Sequence, residues 1–191
     1  MPKRKRATKS KKRIEHSRRY IISLDVGVHN FAYCIMDTKL KEPKLITVEN
    51  KKICNFKGTK DYVQMCETAF DFFTESLTRD HWDQTDFIIE RQMKSGIMRI
   101  FAVALEVAWF HKTGHRAIVL SPITVKRHFG TSTGNYAKNK KAAVNQMAHL
   151  CVQYPTLRKK WVNICAGSDK IDDLADALIQ AFYYHEIHNH D

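Results

Sequence analysis

YIISLDVGVHNFAYCIMD, residues 20–37, is the stretch whose reading decides the fold. It reads as two β-strands joined by a tight turn. Ile21, Ile22 and Leu24 favour strand, the run stops at Asp25-Val26-Gly27, and Phe31–Met36 supplies a second run at once. Asp25 therefore closes an apolar strand beside a glycine turn. A carboxylate taken out of water costs several kcal/mol unless it is paired or holds a cation. An acid in that place asks for a positive partner.

Outward from this hairpin, Lys44–Phe56 reads as a third strand with Leu45, Thr47 and Val48 at its start, and the short connections predict an antiparallel meander. Asp61–Leu77 carries Tyr62, Val63, Met65, Cys66, Ala69, Phe70, Phe73 and Leu77 at helical spacing. Asp86–Glu90, DFIIE, is a fourth strand that again ends in an acid. Ser95 caps a helix running to about Lys112, apolar on one face and carrying Val103, Val107 and Phe110 on the other. A helix apolar nearly all round is buried on both sides, as a central helix or at a dimer interface. Arg116–Pro122 is a fifth strand, His128–Lys141 a polar, glycine-containing flexible loop, Ala142–Val152 a helix, Tyr154–Trp161 a basic connection and Ser168–His185 the last helix. The order β-β-β-α-β-α-β-α-α predicts an α/β fold: a mixed five-stranded sheet, three-strand antiparallel meander plus parallel strands, flanked by helices.

At 191 residues the chain is one domain by size, with room for a real core. It has no apolar run long enough for a membrane span and no secretory h-region. Its five cysteines, Cys34, Cys54, Cys66, Cys151 and Cys165, are scattered and form no CxxC, so neither zinc nor a disulfide framework is indicated. Reduced thiols in an intracellular protein are the plain reading.

The net charge of +12 is unevenly placed. Residues 1–19 hold ten Lys/Arg and one Glu, and residues 91–160 hold thirteen Lys/Arg with Glu106 as the one acid. Residues 20–90 and 161–191 are net acidic. A long basic segment between acidic ones suits a metal-dependent nuclease, whose basic part holds phosphates while its acids hold the metal. Residues 1–19 lack apolar periodicity and are expected to form a disordered basic tail, an import-like signal or a non-specific DNA arm. Residues 20–187 then form the folded domain and 188–191 a C-terminal tail. His185, His188 and His190 are read as a fraying polar end rather than a metal site.

Three element ends carry acids: Asp25, Glu90 and the pair Asp173/Asp176. The pair is spaced i, i+3 and faces one way near the start of the last helix. An N-cap or first-turn role accounts for Asp172 or Asp173. It does not account for Asp176, deeper in the helix, nor for Glu90. Oxygen-only ligands select Mg²⁺ or Mn²⁺.

LDVGVHNFAYC (24–34), IIERQ (88–92), the Ser121-Pro122 dipeptide, KNKKAAV (138–144) and KIDDLADAL (170–178) together resemble RuvC-like Holliday junction resolvases of the RNase H superfamily, and most closely their poxvirus and fungal mitochondrial branch. The resemblance implies an RNase H-like sheet and a structure-selective endonuclease resolving four-way DNA junctions, in recombination or viral genome processing. It implies Asp25, Glu90, Asp173 and Asp176 as metal ligands for two Mg²⁺ ions per site, with Mn²⁺ able to substitute. It implies Lys141 as the catalytic-loop lysine, with Lys138 and Lys140 as neighbours that could take its place. Asp172 lies beside the ligands. Arg91, Lys94, Arg99, Lys126, Arg127, Lys138 and Lys140 are expected to hold DNA, and His29 could touch the scissile phosphate or be a plain turn residue. Bacterial relatives place an aromatic residue near Met93 to open the junction centre, and this chain has none there. A C₂ homodimer is expected, in the nucleus or at a viral replication site in host cytoplasm. The rival readings are a general flap, branch or RNA nuclease of the same fold, and a non-catalytic junction-binding protein.

Overall fold

The computed structural model describes residues 18–27, 31–39, 42–51, 61–76, 81–92 and 96–188. Five strands, β1 (Tyr20–Asp25), β2 (Phe31–Asp37), β3 (Lys44–Lys51), β4 (Thr85–Glu90) and β5 (Ile118–Leu120), lie in the order β3-β2-β1-β4-β5. β1, β2 and β3 pair antiparallel in sequence order, while β4 and β5 extend the sheet in parallel from β1. The meander and the parallel extension are those expected from the sequence.

Both faces of this sheet are covered. Alternation along each strand sends Ile22, Leu24, Phe31, Tyr33, Ile35, Phe87 and Ile89 to one side, against α1 (Tyr62–Asp71) and α2 (Gly96–Thr113). Phe72, Phe73, Phe101 and Trp109 fill that side with aromatic rings. Ile21, Ala32, Cys34, Met36 and Ile88 face the other side, against α4 (Tyr136–Gln153), α5 (Pro155–Gly167) and α6 (Ile171–His188). α6 presents Ala177 and Ala181 to the sheet, and these small side chains let its backbone come close enough for the Cys34 thiol to reach the Ala177 carbonyl at 3.5 Å.

Three expectations are corrected. The fifth strand, expected over Arg116–Pro122, spans only Ile118–Leu120, and Pro122–His128 forms a short helix, α3, begun by a proline in its first turn. Residues 136–141 are not loop but the first turns of α4, whose N-cap Asn135 accepts from the Lys138 amide. The basic connection 154–161 is mostly helix: α5 buries Leu157 and Trp161. Lys160 of α5 donates to the Leu45 and Ile46 carbonyls (2.5 and 3.2 Å), covering part of the exposed edge of β3.

Arg18 and Arg19 are held by the domain. Arg19 forms a two-pronged pair with Asp37 (2.8–3.2 Å), and Arg18 reaches the Thr85 carbonyl and the buried Asp86 (3.0 and 3.5 Å). Residues 1–17 lie outside the described residues, as do His29, Met93, Lys94 and His190. The last helix continues to His188, and His185 is buried within it rather than frayed. Among the described residues no helix is long and apolar enough to cross a membrane.

Candidate active site

Strand parity builds half of the site. Ile22 and Leu24 of β1 and Phe87 and Ile89 of β4 point to the α1/α2 side, so Asp25 and Glu90, one residue on, point to the side that α6 covers. β1 and β4 run parallel with Leu24 opposite Ile89, and the two acids therefore finish neighbouring strands at the same edge of the sheet. α6 supplies the other half, with Asp173 and Asp176 one turn apart. The four carboxylates line one cavity of about 240 Å³ together with Gln92, Met98, Lys126, Asn139 and Lys140.

Their proximity is visible in their proton affinities. Burial, and then the charges of Glu90, Asp176 and Asp173, push the Asp25 carboxyl well above its ordinary value. Burial raises Glu90 to about 7, with Lys126 opposing and Asp176 adding to the rise. Burial raises Asp176 to about 6 against the pull of Lys126 and Lys140. Asp172 moves the other way: burial works to raise it, but the Lys140 ammonium outweighs this and holds it below the carboxylate range.

Lys140 bonds Asp172 and Asp173, the latter at 2.9 Å. Lys141, the residue first expected in this role, is exposed and lines no part of the cavity. The reason is helical phase. Lys140 is three residues before Ala143 and seven before Met147, both buried, so it lies on the inward stripe of α4 while Lys141 is turned about 100° away. Lys126, expected only as a DNA contact, lines the same cavity and faces Glu90 and Asp176. Arg91, Arg99, Arg127 and Lys138 are exposed outside it.

The donor set fits a hard divalent cation: four carboxylates face one polar cavity, and the charges of the other three crowd Asp25. Among the described residues no three acidic, histidine or cysteine side chains already converge tightly enough to share one ion. Lys140 holds Asp173 in a pair, and a cation entering the cavity competes with that lysine.

The raised carboxyls have a consequence for stability. A folded state that keeps protons on Asp25, Glu90 and Asp176 above the ordinary carboxylate range of about 4 binds more protons than the unfolded chain between about pH 4 and pH 7. Their contribution is therefore complete at the acid end of that window and is lost as pH rises through it. Thermal melts in EDTA are expected to show this loss from pH 5 to pH 8. Added Mg²⁺ should restore stability at pH 8 and do little at pH 5, with Glu90→Gln flattening the slope. A metal-free melting temperature indifferent both to pH and to this substitution would refute it.

A mixed sheet with acids at the ends of its two adjacent central strands, crossed by a helix bearing two more, is the RNase H-like α/β fold in its RuvC form. The chain belongs to the Poxvirus A22 protein family, whose model matches residues 19–188. Solved structures share the fold. The fowlpox virus resolvase in complex with substrate Holliday junction DNA is 22% identical, with a TM-score of 0.62 covering 88% of this chain and 97% of that one. The yeast mitochondrial Holliday junction resolvase is 18% identical, with a TM-score of 0.62 covering 89% and 78%. Thermus thermophilus RuvC is 15% identical, with a TM-score of 0.52 covering 87% and 96%. No curated protein matches significantly by sequence.

Proposed function

We propose that this protein is a divalent-metal-dependent endonuclease that resolves four-way DNA junctions by paired, symmetric nicks. The observation that carries the reading is the cavity where Asp25, Glu90, Asp173 and Asp176 meet two lysines. Membership of the poxvirus family and the junction named with the fowlpox structure support the choice of substrate.

Two Mg²⁺ ions, or Mn²⁺ in their place, would supply an activated water and stabilisation of the leaving 3′ oxygen in an in-line phosphodiester displacement. The chain's own residues do the rest. Asp25 and Glu90 hold fixed positions because they end paired strands, and Asp173 and Asp176 because α6 is packed along the sheet. Lys126 and Lys140 bring positive charge to the cavity from two different helices, where they offset charge gathering on the phosphate. Exposed Arg91, Arg99, Arg127 and Lys138 are suited to duplex backbone, so binding should weaken steeply with salt.

Paired nicks need two sites. α2 carries a solvent-facing apolar stripe, Val103, Val107 and Phe110, each more than half exposed, and a hollow beside it is lined by Gly96, Arg99, Ile100 and Val103. The stripe supports a two-fold dimer through α2.

The test is cleavage of a synthetic four-way junction beside flap, bubble, RNA–DNA hybrid and linear duplex substrates, with Mg²⁺ or with EDTA. The expected result is metal-dependent nicking of opposite strands of the junction, leaving 5′ phosphates and 3′ hydroxyls. Equal cutting of linear duplex would overturn the reading, and preference for flaps or hybrids would replace it with a general branch or RNA nuclease.

A further inference from the structure

The side of α6 that meets the sheet is apolar except along one line. Asp176, Gln180 and Tyr184 recur every four residues and therefore stack on one face. Each meets a polar group of the sheet. Asp176 shares the cavity with Asp25 and Glu90. The Gln180 amide donates to the Ser23 hydroxyl (2.9 Å) and the Leu24 carbonyl (3.1 Å). The Tyr184 hydroxyl bonds Asp86 (3.1 Å), which pairs in register with Ile21. The spacings match: eight residues of helix advance about 12 Å, and the four residues of strand from Asp25 back to Ile21 about 13 Å. A polar seam thus runs from the cavity along the underside of α6.

Gln180 is the middle contact of the seam and the one beside the site. It is 3% exposed and Ser23 is fully buried, so these bonds form out of water, where an unpaired amide or hydroxyl is costly. Both amide hydrogens are spent on residues immediately before Asp25. Apolar contacts alone leave this helix free to settle over small shifts, because Ala177 and Ala181, the small side chains flanking Gln180 on the sheet side, offer little relief for interlocking. Where the acids are ionised, the shift most favoured by charge is outward, since Asp173 and Asp176 of α6 repel Asp25 of β1.

We propose that Gln180 is a positioning residue for the carboxylate site: its paired bonds to Ser23 and Leu24 fix the register of α6 on β1, and with it the separation of Asp176 from Asp25. The proposal rests on the divalent-metal reading of the site. It places a neutral side chain, touching neither metal nor DNA, in control of how well the four acids take a cation.

The test uses the full chain, metal-free, with Mn²⁺ titrated by calorimetry and four-way junction binding measured in EDTA. Gln180→Met keeps the length and removes both donors; Ser23→Ala removes one acceptor and little volume. Mn²⁺ affinity is expected to fall about ten- to a hundredfold in Gln180→Met, the range for residues that orient metal ligands. In Ser23→Ala it should fall several-fold. Losses in the double variant should be less than additive, because the two residues share a bond. Junction affinity in EDTA should stay within twofold, and nicking should recover at high Mn²⁺. Mn²⁺ affinity within twofold of wild type in both variants would overturn the proposal, even with a lowered melting temperature. If Gln180→Met does not fold, Ser23→Ala decides on the same criterion. Asp25→Asn separates the two levels: if it too leaves Mn²⁺ binding intact, the metal reading itself has failed.

Discussion

Asp25→Asn is expected to abolish metal-dependent nicking of a four-way junction while leaving junction binding in EDTA largely intact. Asn matches Asp in shape and removes only its charge. Asp25 is the carboxyl on which burial and the three other acids converge, so it contributes most to the negative field that a cation enters. A single preorganised electrostatic contact in a catalytic site is worth about a hundred- to a thousandfold in rate, and loss of the carboxylate at the centre of the acidic set should reach at least that. The same substitution should raise the melting temperature of the metal-free protein at pH 8, because it removes repulsion with Glu90, Asp176 and Asp173. It should also cancel the added stability that Mg²⁺ gives the wild type. Inactivation by damage would lower stability; inactivation by loss of a ligand raises it in EDTA. A variant that still nicks with Mg²⁺ would refute the metal assignment. A wild-type protein that binds junctions and never cuts would favour the non-catalytic reading.

The acids were legible in the sequence for a definite reason. Asp25 and Glu90 each close a short, mostly apolar strand of six residues, and parity within so short a strand leaves no choice of face. Asp173 and Asp176 lie on one helical stripe. The lysine was harder. Gly130 and Gly134 adopt positive φ and mark a turn, and the polar residues that follow look like its continuation. Asn135 starts α4 there with a side-chain cap, and running the stripe Ala143, Met147, Leu150 back through the polar segment arrives at Lys140. α5 was hidden by its Arg and Lys residues, although Leu157, Trp161 and Ile164 carry helical spacing. Lys126 and Gln180 left no such signal. The first depends on where α3 places its last turn, and the second on which strand α6 crosses; both are properties of the assembled layers.

Val107→Asp combined with Phe110→Asp is expected to leave a folded monomer that no longer makes paired nicks. Both side chains are 54% exposed, so the substitutions take little from the core, where Phe101, Leu105, Ala108 and Trp109 carry the packing of α2. In a two-fold dimer every residue of the interface occurs twice. An unpaired carboxylate sealed into an apolar contact costs about 3–5 kcal/mol, which on its own weakens association at least about a hundredfold. Light scattering at micromolar protein should report the mass of one chain against two for the wild type, with melting temperatures within a few degrees of each other. Each carboxylate cavity is built within one chain, so a monomer keeps all four acids together. It loses the partner that cuts the opposite strand before the junction dissociates. Single nicks without resolution are therefore the expected products. Paired nicking by the double variant at the wild-type rate, or a wild type that is monomeric on and off DNA, would remove α2 as the interface.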